Sequence, residues 1–285
     1  MKSVFLHLRL PFSLLLLPVF LFAVFAISSV NTSQAVLVFI ILHLLIYPAS
    51  NAYNSYFDKD EGSIALIKNP PKVKKSLYQT AIILEWAGVL LALFVNLSFT
   101  VCVIIYNLLS KAYSHPSVRL KKYPIISFLV VFIFQGFFIY LTCYVSFGQE
   151  ILAFNLQDLV AGLVCSCLIG ASYPLTQIYQ FREDAARGDQ TLSMLLGYKG
   201  SFIFSALVFF VGIILMFFYW YLQQQLLYFY VFGACCIPIF LYFNWWFVKV
   251  IQNKEQANFT NAMRMTLLSG FIMLSYFIWI NFRLL

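Results

Sequence analysis

The sequence predicts an all-α, polytopic membrane bundle, and three observations carry that expectation. Of its 285 residues, 62% are hydrophobic and only 10% are charged, whereas soluble domains carry about 25% charged residues. The apolar residues fall into nine runs close to the ~20 residues that a helix needs to cross a bilayer. The basic residues, finally, fall in alternate gaps between those runs.

The first run, 10–30, follows Lys2 and Arg9. Its apolar stretch is too long for a signal peptide and no small-x-small cleavage site follows it, so a retained span is expected. The second, 35–53, ends through Tyr47-Pro48. The third and fourth, 77–96 and 97–112, abut at Asn96-Leu97-Ser98, and the fourth is short. Glu85 sits inside the third beside Trp86; an acid in a span is either functional or satisfied by a neighbouring helix. The fifth to ninth runs are 125–146, 152–176, 200–221, 226–248 and 263–282, the sixth ending through Tyr173-Pro174. The six cysteines all lie in apolar runs without a second ligand pair nearby, and read as small packing residues rather than zinc ligands or disulfides.

With the N-terminus in the cytoplasm, all but Arg283 of the 18 Lys and Arg residues fall on one side, as the positive-inside rule demands. Adding or removing one span scrambles that partition. The net charge of +8 thus follows from topology, with a share for anionic lipid or phosphate, and nucleic acid is not expected as a partner. No soluble domain interrupts the chain, so 1–285 reads as one membrane-embedded domain. Spans two and six echo each other, each ending in Tyr-Pro, an amide and an acidic loop, which suggests two related halves with facing acidic loops.

Those two loops carry the chemistry. The first runs from Asn51 through Asn54 and Asp58 to Asp60-Glu61; the second runs from Gln177 through Gln180, Glu183 and Asp184 to Asp189. Asn54 and Asp58 are four apart, as are Gln180 and Asp184, so each pair shares a helix face. Carboxylate and amide oxygens suit Mg²⁺, which takes one or two carboxylates, keeps water and binds substrate phosphate. Proline about one turn before the acids bends a helix and suits a cavity opening to the cytoplasm. Basic residues follow each motif: Lys68, then Arg119, Lys121 and Lys122, then Arg182 and Arg187. Such cations neutralise diphosphate oxygens at close range, so the expected ligand is an anion with an apolar tail.

At this point the residues resemble a family. Asn54 and Asp58 match positions of the Asn-Asp-x-x-Asp signature of UbiA-type intramembrane prenyltransferases. The second loop resembles their Asp-x-x-x-Asp signature, followed here by Gly188, Thr191 and Leu196-Gly197. Tyr113-Ser114-His115-Pro116, with Arg119 and Lys121, is similar to their loop between spans four and five. The resemblance covers the whole chain. It implies nine helices around a central cavity, Mg²⁺ as cofactor, and transfer of an isoprenyl group from its diphosphate to an often aromatic acceptor, as in quinone, haem or pigment biosynthesis. Expected partners are the isoprenyl diphosphate, a hydrophobic acceptor and membrane lipid, in the inner membrane of a bacterium with the site loops cytoplasmic.

The resemblance implies catalytic roles for Asp58 and Asp184, and metal ligands at Asn54, Asp58, Gln180, Glu183 and Asp184. Substrate contacts are expected from Asn51, Asn54, Lys68, Tyr113, Arg119, Lys121, Gln177, Gln180 and Arg182. The pattern departs at three places: Ser55 replaces a second acid, Gln180 replaces an Asp, and Gly62 occupies the spacing of the first motif's last acid. Glutamine ligates through its carbonyl but adds no charge. A non-catalytic relative or a carrier of polar solutes therefore stays open beside the transferase.

Overall fold

The computed structural model describes residues 2–27, 30–59 and 62–282. Helices account for the architecture: α1 (Ser3–Ala26), α2 (Thr32–Asp58), α3 (Lys75–Ala92), α4 (Leu97–Ser114), α5 (Pro124–Ser146), α6 (Leu156–Thr176), α7 (Leu192–Leu222), α8 (Leu226–Gln252) and α9 (Phe259–Phe282). Eight of them are long and apolar enough to cross a membrane. The exception is α3, whose Lys75, Gln79 and Glu85 dilute its hydropathy. It packs against α2 and α4, and its Glu85 meets Lys111 Nζ at 2.6 Å. The acid within the third span is therefore answered by a neighbouring helix.

The helix ends follow capping chemistry. Asn31, Asn96 and Thr191 accept backbone N–H groups at the starts of α2, α4 and α7. Asn155 and Asp158 form a reciprocal capping box on α6. Thr191 lets α7 start eight residues before the apolar run at 200, and the turn around Gly197 (φ 65°, ψ 176°) absorbs the resulting kink. That conformation is open essentially to glycine alone.

Two widened, π-helical stretches lie inside spans: Ile40–Ile46 in α2 and Val131–Phe137 in α5. Pro48 does not end α2, because the widened turn before it accommodates the missing N–H and the ring, and the helix runs on to Asp58. Pro174 behaves differently, closing α6 in a single tight turn, Pro174–Thr176. In α5 the widened stretch brings the Phe137 N–H to Ser166 Oγ of α6 at 2.9 Å. Gly136 permits that approach: a Cβ there would lie 2.3 Å from the Ser166 backbone.

The core is aromatic, as in Phe22 against Tyr219 and Phe277 at ring separations of 4.9 and 5.0 Å. Large apolar side chains away from the cavity, such as Leu90, Ile214, Leu241 and Phe271, are exposed, where acyl chains would cover them. α1 breaks at Arg9, which adopts the left-handed conformation (φ 47°), and α9 packs beside α1. Between these helices lies one large cavity of about 1040 Å³ that reaches from the polar helix ends into the apolar middle of the bundle.

Candidate active site

The last two turns of α2 place Asn51, Asn54 and Asp58 on the cavity wall. Asn54 Oδ1 accepts from Ser114 Oγ at 2.7 Å and from Lys121 Nζ at 3.5 Å. Lys121 also pairs directly with the Asp58 carboxylate. Burial pulls the Lys121 ammonium down to about 8, against the opposing pull of Asp189 and Asp184. The shared charge is sensible chemistry, since a buried cation needs a partner. Asn51 faces the break in α1: its carbonyl accepts from Arg9 Nη2 at 3.1 Å, and its amide donates to Leu8 O at 3.3 Å.

The second motif follows α6 across the tight turn and enters a short helix, Phe181–Ala186. Gln177, Gln180 and Asp184 line the same cavity as Asn54 and Asp58. Gln180 Nε2 donates to Ser63 O at 3.0 Å, stitching this loop to the loop after α2. Gln177 Oε1 accepts from the Ser193 N–H at 3.4 Å. Asp184 is buried, and its Oδ1 accepts from Arg187 Nη2 at 2.6 Å. Asp189 is buried too, held in a two-pronged pair by Arg119 at 2.9 and 2.8 Å. Burial alone would raise the Asp189 carboxyl, but Arg119, Lys121 and Arg187 together hold it below the usual range.

The structure thus gathers Asn51, Asn54, Asp58, Tyr113, Lys121, Gln177, Gln180 and Asp184 around one cavity. It does not gather every expected residue there. Lys68, in the loop after α2, and Arg182, on the short helix Phe181–Ala186, are exposed and do not line it. Glu183 turns against Gly62, where an added Cβ would collide with its carboxylate. Arg119 lies just behind the wall, its guanidinium spent on Asp189. Asp60 and Glu61 fall outside the described residues, as does Arg283.

One cavity residue had little signal in the sequence. Arg9 counted only as a topological charge, yet it is buried and lines the cavity. Arg187, expected among the cations that neutralise the diphosphate, and Asp189, at the end of the second acidic loop, line it as well.

The cavity therefore presents one polar, charged end and a long apolar body. Such an arrangement takes an anionic head with a hydrocarbon tail. The comparisons agree with this geometry. Residues 15–270 match the model of the UbiA prenyltransferase family. Among solved structures, a UbiA homologue from Archaeoglobus fulgidus bound to DMAPP and Mg²⁺ superposes with a TM-score of 0.72 at 14% identity, covering 98% of each chain. The same homologue bound to GPP and Mg²⁺ gives 0.71 at 15% identity, covering 98% of this chain and 99% of that one. A structure of digeranylgeranylglyceryl phosphate synthase gives 0.63 at 18% identity over 97% of each. No curated protein matches the chain significantly in sequence. The match over most of its length places this chain in the UbiA prenyltransferase family, as an integral, multi-pass membrane prenyltransferase.

Proposed function

We propose that the chain transfers an isoprenyl group from its diphosphate to a hydrophobic, often aromatic acceptor, as in quinone, haem or pigment biosynthesis. The observation that carries this reading is the convergence of Asp58, Lys121, Asp184 and Arg187 on one end of a cavity whose remainder is apolar. The A. fulgidus homologue of the same fold binds DMAPP or GPP with Mg²⁺, which supports the same donor class here. The charge distribution supports a cytoplasmic mouth in a bacterial inner membrane, with 1–285 acting as one domain.

The donor set suits Mg²⁺. Asp58 and Asp184 offer carboxylates, and Asn54 and Gln180 offer amide oxygens, all hard donors on one cavity wall. Among the described residues no three His, Cys, Asp or Glu side chains cluster as a metal site, so the shell would be completed by the diphosphate and water. Bound there, Mg²⁺ would offset the charge of the departing diphosphate.

The chain's own residues do the rest. Lys121 and Arg187, which neutralise the two carboxylates in this structure, stand ready to turn to diphosphate oxygens. Arg119 and Asp189 tie the loop after α4 to the loop before α7, which keeps Lys121 and Arg187 aimed at the same point. The apolar body holds the tail and excludes water from the carbon that loses the diphosphate, so the acceptor rather than water captures it.

The reading is tested with purified protein, Mg²⁺, prenyl diphosphates of graded length and mixed aromatic acceptors, with products read by mass spectrometry. Metal-dependent prenylated product is expected. Accumulation of a polar solute in sealed vesicles, with no diphosphate released from any donor, would replace this reading with a carrier.

A further inference from the structure

Asp58 and Asp184 each hold a cation from this chain. Lys121 Nζ sits directly on the Asp58 carboxylate, and the two side chains are only 12% and 7% exposed. Arg187 Nη2 lies 2.6 Å from Asp184 Oδ1, three residues on in the second motif. The first pair joins α2 to the loop after α4, and that loop is built to deliver it. Arg119 holds the left-handed conformation (φ 45°) at the start of the turn Leu120–Lys122. A residue other than glycine sustains that cost only where its surroundings enforce it. The two-pronged pair between Arg119 and Asp189 supplies the enforcement. Lys121 is therefore placed on Asp58 by a strained, anchored turn.

A charge balance shows what these pairs do to a ligand. If Asp58 turns to a metal ion, Lys121 is left as a largely buried ammonium without that counter-charge, which is strongly unfavourable. If Lys121 and Arg187 turn to a diphosphate instead, Asp58 and Asp184 lose theirs. When both ligands enter together, the partners exchange cleanly. The carboxylates face the metal, the ammonium and guanidinium face diphosphate oxygens, and no buried charge is stranded.

Resting on the transferase reading above, we propose that Lys121 and Arg187 are counter-ion latches on the metal site: they compete with a divalent cation for Asp58 and Asp184, and release them when a diphosphate takes the two basic groups. The consequence runs against the usual effect of deleting a residue from a binding site. Loss of Lys121 strengthens metal binding, and weakens diphosphate binding.

The test is metal binding without diphosphate, so it stands apart from turnover. Mn²⁺, which takes the same oxygen ligands as Mg²⁺, is titrated into the detergent-solubilised full chain and read by electron paramagnetic resonance. Lys121→Met keeps the apolar stem and removes the charge; it should bind Mn²⁺ about tenfold or more tighter than the wild type. Adding Asp58→Asn to that variant should abolish the gain. Lys122→Gln removes the same charge from the exposed neighbour and should leave the affinity unchanged, which separates direct competition from general repulsion. Melting temperatures confirm folding, and Arg187→Gln, expected to gain affinity at Asp184, decides the matter if Lys121→Met does not fold. Equal Mn²⁺ affinity in the wild type and the latch variant, or an equal gain in Lys122→Gln, would overturn the proposal. Binding of radiolabelled geranyl diphosphate with Mn²⁺ is measured alongside: none in the wild type counts against the transferase reading, while the Mn²⁺ comparison still decides the latch.

Discussion

Lys121 is where the two acidic motifs meet: it pairs with Asp58, reaches Asn54, and feels Asp189 and Asp184. With its pKa pulled down to about 8 by burial, it is charged below that pH and neutral above it. The expected result is a kcat/KM for prenyl diphosphate that falls as pH rises through about 8. Lys121→Arg should remove that limb, since a guanidinium keeps its proton; a limb that persists unchanged would assign it elsewhere. Asp189 makes the opposite kind of prediction. Its depressed carboxyl stabilises the fold above its unfolded value of about 4 and loses that contribution as pH falls through the folded value. Asp189→Asn should cost about 1–3 kcal/mol near neutrality, discounted for the partial exposure of Arg119, with the deficit shrinking below pH ~4 in thermal melts. Asn54, Asp58, Lys121 and Asp184 were legible because their chemistry is unusual in so apolar a chain. Arg9 was not, because one basic residue before a span reads as topology.

Hydropathy located the helices, because a bilayer imposes a minimum apolar length that sequence displays directly. It misplaced ends wherever polar caps extend a helix beyond its apolar run, as at Thr191 before α7. It also passed over Asp158, an acid inside the sixth run that turns out to cap α6. The widened stretches of α2 and α5 left no periodic signature, since one extra residue in a turn scarcely perturbs an apolar pattern. Pro48, expected to bend its helix, follows the widened stretch, and α2 runs on through it to Asp58. At Gly197, φ of 65° inside α7 is the local cost of joining the capped turn to the long span. Gly197→Ala is expected to destabilise by about 1–3 kcal/mol in chemical or thermal unfolding. Gly233→Ala, where an added Cβ meets nothing within 4 Å on a regular stretch of α8, should be neutral or stabilising by up to about 1 kcal/mol. Equal effects at both positions would remove the backbone argument.

Across the whole molecule, motifs separated by more than a hundred residues line a single cavity because α2 and α6 end at the same level, and the loops that follow are stitched together by Gln180 and Ser63. The polar end concentrates charge that the rest of the bundle excludes, and the apolar body supplies room for a hydrocarbon tail. Asp58 and Asp184 stand at that junction, each already paired with a basic side chain. The most direct measurement is therefore diphosphate release from geranyl diphosphate across a Mg²⁺ titration, comparing the wild type with Asp58→Ala and Asp184→Ala. Metal-dependent release in the wild type, reduced at least about a hundredfold in both folded variants, is the predicted result. Full release in both variants would contradict the assignment of the reaction to this end of the cavity.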